Sequence, residues 1–569
     1  MSTNKHIDIV CLTITFLAVL LTVLFINGNA LGITPIIDSD GGNGQFTSND
    51  LIADWDGTGA TRITLTGDGG SVEGSGAYIY DGDVHILYAG KYILSGELNG
   101  GSIIIEANNN DKIWILLDGV SLHCDNNAAI LVEQAQKVFL TLADGTENSI
   151  SSGAEYTEEA IAKGIDGAIY SRDDLTINGN GFLRITTEYQ HGIVGNDDLV
   201  VTGGNIEITA AQDGIHANDS ARFADVNITI NAGDDGITVS NDDETGYIYI
   251  ESGNINIPSC YEGIEAVDIT IAGGEIGIMP TDDGINANGR GSNSVIRITG
   301  GDITIINETG RDADGLDSNG DIYISGGNLF ISVTDGGGSS AIDYGSESGG
   351  VCDISGGTVI AAGSSAMAEG FDSSSEQCFI MYTISTASAG TTVVLKNAEG
   401  NVLLSEVIPC SFSSIVMSTP ELQMGETCTV SIGDTESEIT VDNSSGSNGF
   451  GRGGMFGGGM HQDGNRPPDF QMPENGHNAH IEDDMTPNFD GPENFSGQIQ
   501  IPDQRNEQNG MRGGRRGEDP PMFERQHQDW RQGDMTAESS ALSPDTPIAV
   551  GVSILLLLAG ILIAVKTKH

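Results

Sequence analysis

A short motif, Asp-Gly-Ile followed by alternating apolar residues, recurs through the middle of this chain, and few folds accept it. One unit reads Asp213-Gly214-Ile215-His216-Ala217-Asn218, followed by Val226-Asn227-Ile228-Thr229-Ile230. Copies begin at Asp235, Asp283 and Asp314, and weaker ones at Asp166, His191, Glu262 and Ser340. Successive starts are 25, 22, 22, 27, 21, 31 and 26 residues apart. Periods of this size indicate a solenoid, in which each repeat buries its apolar face against its neighbours. Each period holds stretches of strict Ile-x-Ile alternation separated by Asp-Gly or Gly-Gly, which reads as short strands joined by turns, with no helical pattern between them. The expectation is all-β: a right-handed parallel β-helix, with Ile and Val stacked inward and Thr, Asn and Asp outward. A β-propeller is the runner-up, since pairs of units would mimic blades of roughly 40 residues and four strands.

Glycine makes up 80 of the 569 residues, about twice the roughly 7% of average usage. A coil that turns two or three corners needs residues that reach positive φ, and this reading assigns the glycines to those corners. The chain has 81 Asp plus Glu against 23 Lys plus Arg, a net charge of −58. Such a charge repels phosphate backbones, so no nucleic acid is expected as a partner, and cations are. Residues 33–442 carry 63 carboxylates and 12 Lys plus Arg. Parallel strands lie ~4.8 Å apart, so one carboxylate per coil builds a self-repelling column. Calcium takes six to eight oxygens at about 2.3–2.6 Å, and adjacent coils can supply both sides of one ion. The metal candidates are Asp166, Asp213, Asp235, Glu262, Asp283 and Asp314 at the turn, with Asp174, Asp198, Asp234, Asp282 and Asp312 nearby in sequence. The alternative is that Asp-Gly only makes turns and its carboxylates are solvated.

Ahead of the clear repeats, Val84–Ala89, Tyr92–Ser95, Ser102–Glu106, Lys112–Leu117 and Lys137–Ala143 read as strands. The runs Ala89-Gly90-Lys91-Tyr92-Ile93-Leu94-Ser95-Gly96, Ile115-Leu116-Leu117-Asp118-Gly119-Val120 and Thr141-Leu142-Ala143-Asp144-Gly145-Thr146, with the later Ser171-Arg172-Asp173-Asp174-Leu175-Thr176-Ile177, carry a resemblance. Together with the Asp-Gly-Ile repeats, they make residues 83–442 similar to the extracellular carbohydrate-binding β-helix family. The resemblance implies a polysaccharide-lyase-like fold, binding of plant-type or acidic polysaccharide, and bound calcium.

Sugar binding adds aromatic platforms to polar groups, and Tyr189, Tyr261 and Tyr344 beside the repeats are the carbohydrate candidates. A lyase would need a Lys or Arg base beside calcium. Lys163, Arg172, Arg184, Arg290, Arg297 and Arg311 are available, and each can equally pair with a carboxylate. His123, His191 and His216 read as surface residues rather than zinc ligands, because no His/Cys set of fixed spacing accompanies them.

The ends of the chain read as membrane signals. Ile9–Ile26 is an uncharged run that suits a signal peptide over residues 1–30, or an N-terminal anchor. Residues 31–82 form an irregular N-terminal segment, residues 83–376 the β-helix and residues 377–442 a small antiparallel β domain capping it. Residues 443–546, rich in Gly, Pro, Asn and Gln, read as a disordered stalk. Ile548–Val565 is long enough to cross a membrane, and Lys566 and Lys568 behind it place the short tail in the cytoplasm. Of six cysteines outside the signal, Cys410–Cys428 and Cys352–Cys378 are the expected disulfides by proximity in sequence. The sequence as a whole reads as a non-catalytic, membrane-anchored, extracellular protein that binds calcium and polysaccharide, with a calcium-dependent lyase and an adhesive surface protein as alternatives.

Overall fold

The computed structural model describes residues 44–443, apart from 54–56, 242–244, 290–292 and 311–312. Both apolar terminal runs, the Gly/Pro-rich stretch and Asp312 lie outside the described residues. Among the described residues, no helix is long and apolar enough to cross a membrane.

The described chain is all-β apart from one five-residue helix, Glu158–Ala162, and short 3-10 turns such as Ser346–Ser348. Its strands form sheets of twenty, twelve and four members. One coil runs through Ile215–Ala217, Ser220–Phe223 and Val226–Ala232. Each of these strands pairs in parallel with its equivalent in the next coil: Ile215 with Ile237, Ser220 with Tyr247 and Asn227 with Asn254. Parallel coil-on-coil pairing at the sequence period excludes the propeller, whose blades would be antiparallel.

The alternation fills the interior. Ile193, Ile215, Ile237, Ile264, Ile285, Leu316 and Ile342 stand in register along the twelve-stranded sheet, and none is more than 1% exposed. Each contributes about 1.5–3 kcal/mol of burial, and a β-branched side chain suits the pleat.

Glycine has two distinct roles here, of which the sequence shows one. The second glycine of the Gly-Gly turns at Gly204, Gly274, Gly301, Gly327 and Gly357 does hold positive φ, 94° at Gly301. The glycine of the repeats' Asp-Gly, at Gly214, Gly236, Gly284 and Gly315, does not: a Cβ on Gly236 would lie 2.6 Å from the Gly263 carbonyl oxygen and 2.8 Å from the Ile257 methyls. It is glycine because successive coils approach backbone to backbone.

Both ends of the coil stack are closed by antiparallel pairing. Ala77–Tyr80 folds back on Asp83–Ile86 at one end. At the other, Cys352–Gly363 pairs with Phe412–Ser418, which pairs in turn with Phe379–Ala387. Thr391–Lys396, Val402–Ile408, Thr427–Ile432 and Thr435–Thr440 make the four-stranded sheet. The expected disulfides do not form, for all six described cysteines are free. Cys352 points into the coil core and Cys428 into the separate core of the four-stranded sheet, while the Cys410 thiol donates to the carbonyls of Asn307 and Ser332.

Candidate metal and carbohydrate site

The outer face of the twelve-stranded sheet changes character along its length. One outward column runs Ile104, Leu131, Tyr170, Val194, His216, Thr238, Glu265, Asn286, Asp317, Asp343. Its first members are apolar and lie under Tyr156, Ala160 and Ile165, from the segment carrying the short helix. From His216 onward it is polar, then acidic.

A second column flanks it at the Asp-Gly turn: Asp213, Asp235, Glu262, Asp283 and Asp314. Several of these side chains accept the backbone N–H of the residue that heads the next coil. The Asp235 amide donates to Asp213 Oδ1 at 3.2 Å, the Glu262 amide to Asp235 Oδ1 at 3.1 Å and the Asp314 amide to Asp283 Oδ1 at 2.7 Å. Asp314 Oδ1 accepts from the Ser340 amide in the same way. These bonds run from coil to coil rather than within the turn, each uses one carboxylate oxygen, and Asp213, Asp283 and Asp314 are buried rather than solvated.

The column is electrostatically costly. Burial, then Glu265 and Glu262, push the Asp235 carboxyl far above the usual range. Burial and Glu265 push Glu262 up to about 8, and burial and Asp283 push Asp314 up to about 8. Asp317 rises to about 6 through burial and Asp343. Asn286 donates to Glu262 Oε2 at 2.9 Å while its own Oδ1 is buried without a partner. Asp235, Glu262 and Glu265 around Asn286, and Asp283, Asp314, Asp317 and Asp343 beyond it, are two carboxylate-rich groups on adjoining coils.

The other predicted metal residues fall elsewhere. Asp166 is one position out of register, because Gly167 rather than Asp166 pairs with His191. Asp174 and Asp198 begin strands at a different corner, where Asp198 accepts from Arg222 at 2.7 Å and Ser220 at 2.6 Å. Asp234 is exposed beside Asp235, and Asp282 is hydrogen-bonded by the Tyr261 hydroxyl. Glu265, Asp317 and Asp343 escaped the sequence reading, although all occupy the position after Asp-Gly-Ile or its equivalent.

Of the three predicted sugar platforms, only Tyr261 is exposed, at 48%, and it adjoins Glu262. Tyr189 stacks on Tyr156 at 4.4 Å between centroids, and Tyr344 packs partly buried against the core. Tyr78, Tyr80 and Tyr88 are the exposed aromatics that the sequence reading passed over. The Tyr-x-Tyr alternation in Ala77–Tyr80 was their signal.

Residues 80–338 match the model of a family described as carbohydrate-binding domain-containing protein. The segment that resembled such a family in sequence, residues 83–442, covers all but the first three residues of that stretch. A relative of that description from Acetivibrio thermocellus is 35% identical over 136 residues, which is 24% of this chain and 48% of the relative. The chain therefore spans about half the length of that relative. A solved structure, the polysaccharide lyase-like protein from C. thermocellum as a gadolinium derivative, is 29% identical. That match covers 45% of this chain and 93% of the other, with a TM-score of 0.37.

Proposed function

We propose that this is a non-catalytic carbohydrate-binding protein of the cell surface, which holds polysaccharide on the acidic half of its twelve-stranded sheet through calcium. The family match over residues 80–338 supports the carbohydrate. The observation that carries the calcium is the pair of adjacent carboxylate columns, whose members are raised to about 8 at Glu262 and Asp314. Groups so placed need a proton or a cation at neutral pH, and calcium bound by neighbouring coils supplies the charge. An ion held on a flat outer face keeps coordination positions for a uronate or sugar hydroxyl, so an anionic chain is bridged rather than repelled. Tyr261 offers its ring beside the same turn.

The absence of catalysis is inferred from where the bases go. Lys163 and Arg172 pair with Glu133, Arg184 with Glu207, and Arg297 with Asp268. Among the described residues each of these is engaged away from the acidic columns; Arg290 and Arg311 lie outside the described residues. In this reading the Gly/Pro-rich stretch is a stalk and Ile548–Val565 the anchor that displays the face outside the cell.

Calorimetry with calcium, repeated with uronate and glucan oligosaccharides, tests the reading. Calcium binding followed by saturable oligosaccharide binding that a chelator abolishes is expected. No glycan retained in calcium overturns it, and unsaturated uronate products would replace it with the lyase.

A further inference from the structure

Where the apolar half of the outer face meets the acidic half, the sheet presents nitrogen as well as oxygen donors. His191 heads its coil where the following coils have a carboxylate, and His216 stands one coil on, in register with Val194. Their Nδ1 atoms lie 3.0 Å and 2.9 Å from the same oxygen, Asp213 Oδ2. The three donor atoms are all within 4.8 Å of one another, and the rings sit 4.9 Å apart between centroids. The side chains are 12%, 25% and 7% exposed for His191, His216 and Asp213, so the group is shielded but reachable.

Two accounting failures mark the group. His191 Nδ1 accepts the Asp213 amide at 3.2 Å, so it cannot also donate to Asp213 Oδ2, since one ring nitrogen is either donor or acceptor. Asp166 Oδ1, nearby, is buried with no hydrogen-bond partner. The His191 amide donates to the Asp166 carbonyl at 2.9 Å, which sets Asp166 beside the group.

We propose that His191, Asp213 and His216 bind one divalent transition-metal ion of the zinc class, with Asp166 beside the three donors as an outer carboxylate. Donors held at about 2.0–2.1 Å from one ion lie about 2.9–3.4 Å apart for angles from square to tetrahedral, which the two Nδ1–Oδ2 separations match. Two imidazoles with carboxylates select zinc, nickel or copper over calcium, which prefers oxygen alone. The site is thus distinct in chemistry from the all-oxygen columns beyond it. It lies where their first carboxylate, Asp213, begins the ladder.

The test uses the full chain without an affinity tag, stripped by chelator, then titrated with Co2+ in excess calcium so that oxygen-only sites stay filled. One equivalent giving visible d–d absorption, displaced by Zn2+, is expected. His216→Ala, whose side chain is the most exposed of the three, is expected to weaken binding roughly 10- to 100-fold. The His191→Ala/His216→Ala pair should abolish it, with the circular dichroism of the sheet unchanged. Wild-type protein that binds no equivalent, or a double variant that binds as well as wild type, overturns the proposal. Should the variants fail to fold, X-ray absorption of the zinc-loaded wild type decides: two nitrogen scatterers support the site, and an all-oxygen shell removes it.

Discussion

A methyl group added at Gly236 meets a backbone carbonyl at 2.6 Å, whereas one added in the same coil stack at Gly277 meets only the Asn256 side-chain oxygen, at 3.3 Å. The first contact is between backbones of successive coils, which cannot move apart without breaking the ladder; the second is with a flexible tip. Gly236→Ala should therefore lose about 1–3 kcal/mol, as overpacked sites do, and Gly277→Ala well under 1 kcal/mol by the same scale. Thermal unfolding of the two variants checks this, and equal losses would disprove the close-approach account. The sequence made the Asp-Gly column legible, because a period-two apolar pattern beside a fixed turn leaves little freedom of register. It did not disclose why the glycine was needed, since the opposing carbonyl belongs to a residue 27 positions away in Gly263. For the same reason Asp166 was misplaced: in that coil a glycine, Gly167, stands opposite His191 where later coils align acid with acid.

At the scale of the strand column, protons and calcium compete for the same work. Folding raises Glu262 and Asp314 from 4.5 and 3.8 to about 8. A raised carboxyl favours the fold fully below its unfolded pKa, and that contribution is lost as pH rises through the folded value. Asp213 behaves oppositely: although burial opposes it, the adjoining His191 and His216 imidazoles hold its carboxyl well below the usual range. Its share is present above the unfolded pKa and is lost only on acidification below about pH 4. Chelated protein should therefore melt at progressively lower temperature from about pH 5 to about pH 8.5. Calcium at a hundredfold over its dissociation constant should return about 2.7 kcal/mol and flatten the slope. Asp317→Asn separates the two effects, because it removes a charge from beside Asp343 and Asp283. The chelated variant should melt higher than wild type, while its calcium affinity falls roughly tenfold with the lost ligand charge. A Tm independent of pH and of calcium would leave the columns with a turn-forming role alone. The fourth position of the repeat carries Glu265, Asp317 and Asp343, and was missed because it varies among His, Thr, Glu, Asn and Asp along the sequence. Only the parallel register shows those residues to be one column.

Over the whole molecule, contacts between distant segments close the stack, and these were the least legible. Asp50 is wholly buried and bonded to Lys137 at 2.9 Å, while Thr176 donates to its Oδ1 and Asn178 and Thr202 donate to its carbonyl. Phe46 packs nearby on Val200 and Ala224. No local pattern near residue 50 announces this, because apart from Thr47 its partners are 87 to 152 positions away. Asp50→Ala strands a buried ammonium and should cost about 3–5 kcal/mol, read as a fall in the denaturant midpoint; a loss near zero would mean Lys137 finds water instead. The opposite end was partly legible, as alternating strands after residue 377 did suggest a cap. There the last coil offers Cys352–Gly363 to Phe412–Ser418, and Ile360 and Ala362 are covered by the apolar core of that cap. A parallel stack has no intrinsic stop, so an uncovered final strand is a template for another chain. Removing residues 377–442 should produce concentration-dependent oligomers on size-exclusion chromatography beyond any that the intact chain forms. If exposed backbone and apolar side chains together drive that association, placing a lysine at Ile360 in the truncated chain should return much of it to monomer. A truncated chain that stays monomeric without the lysine would show that the last coil closes itself.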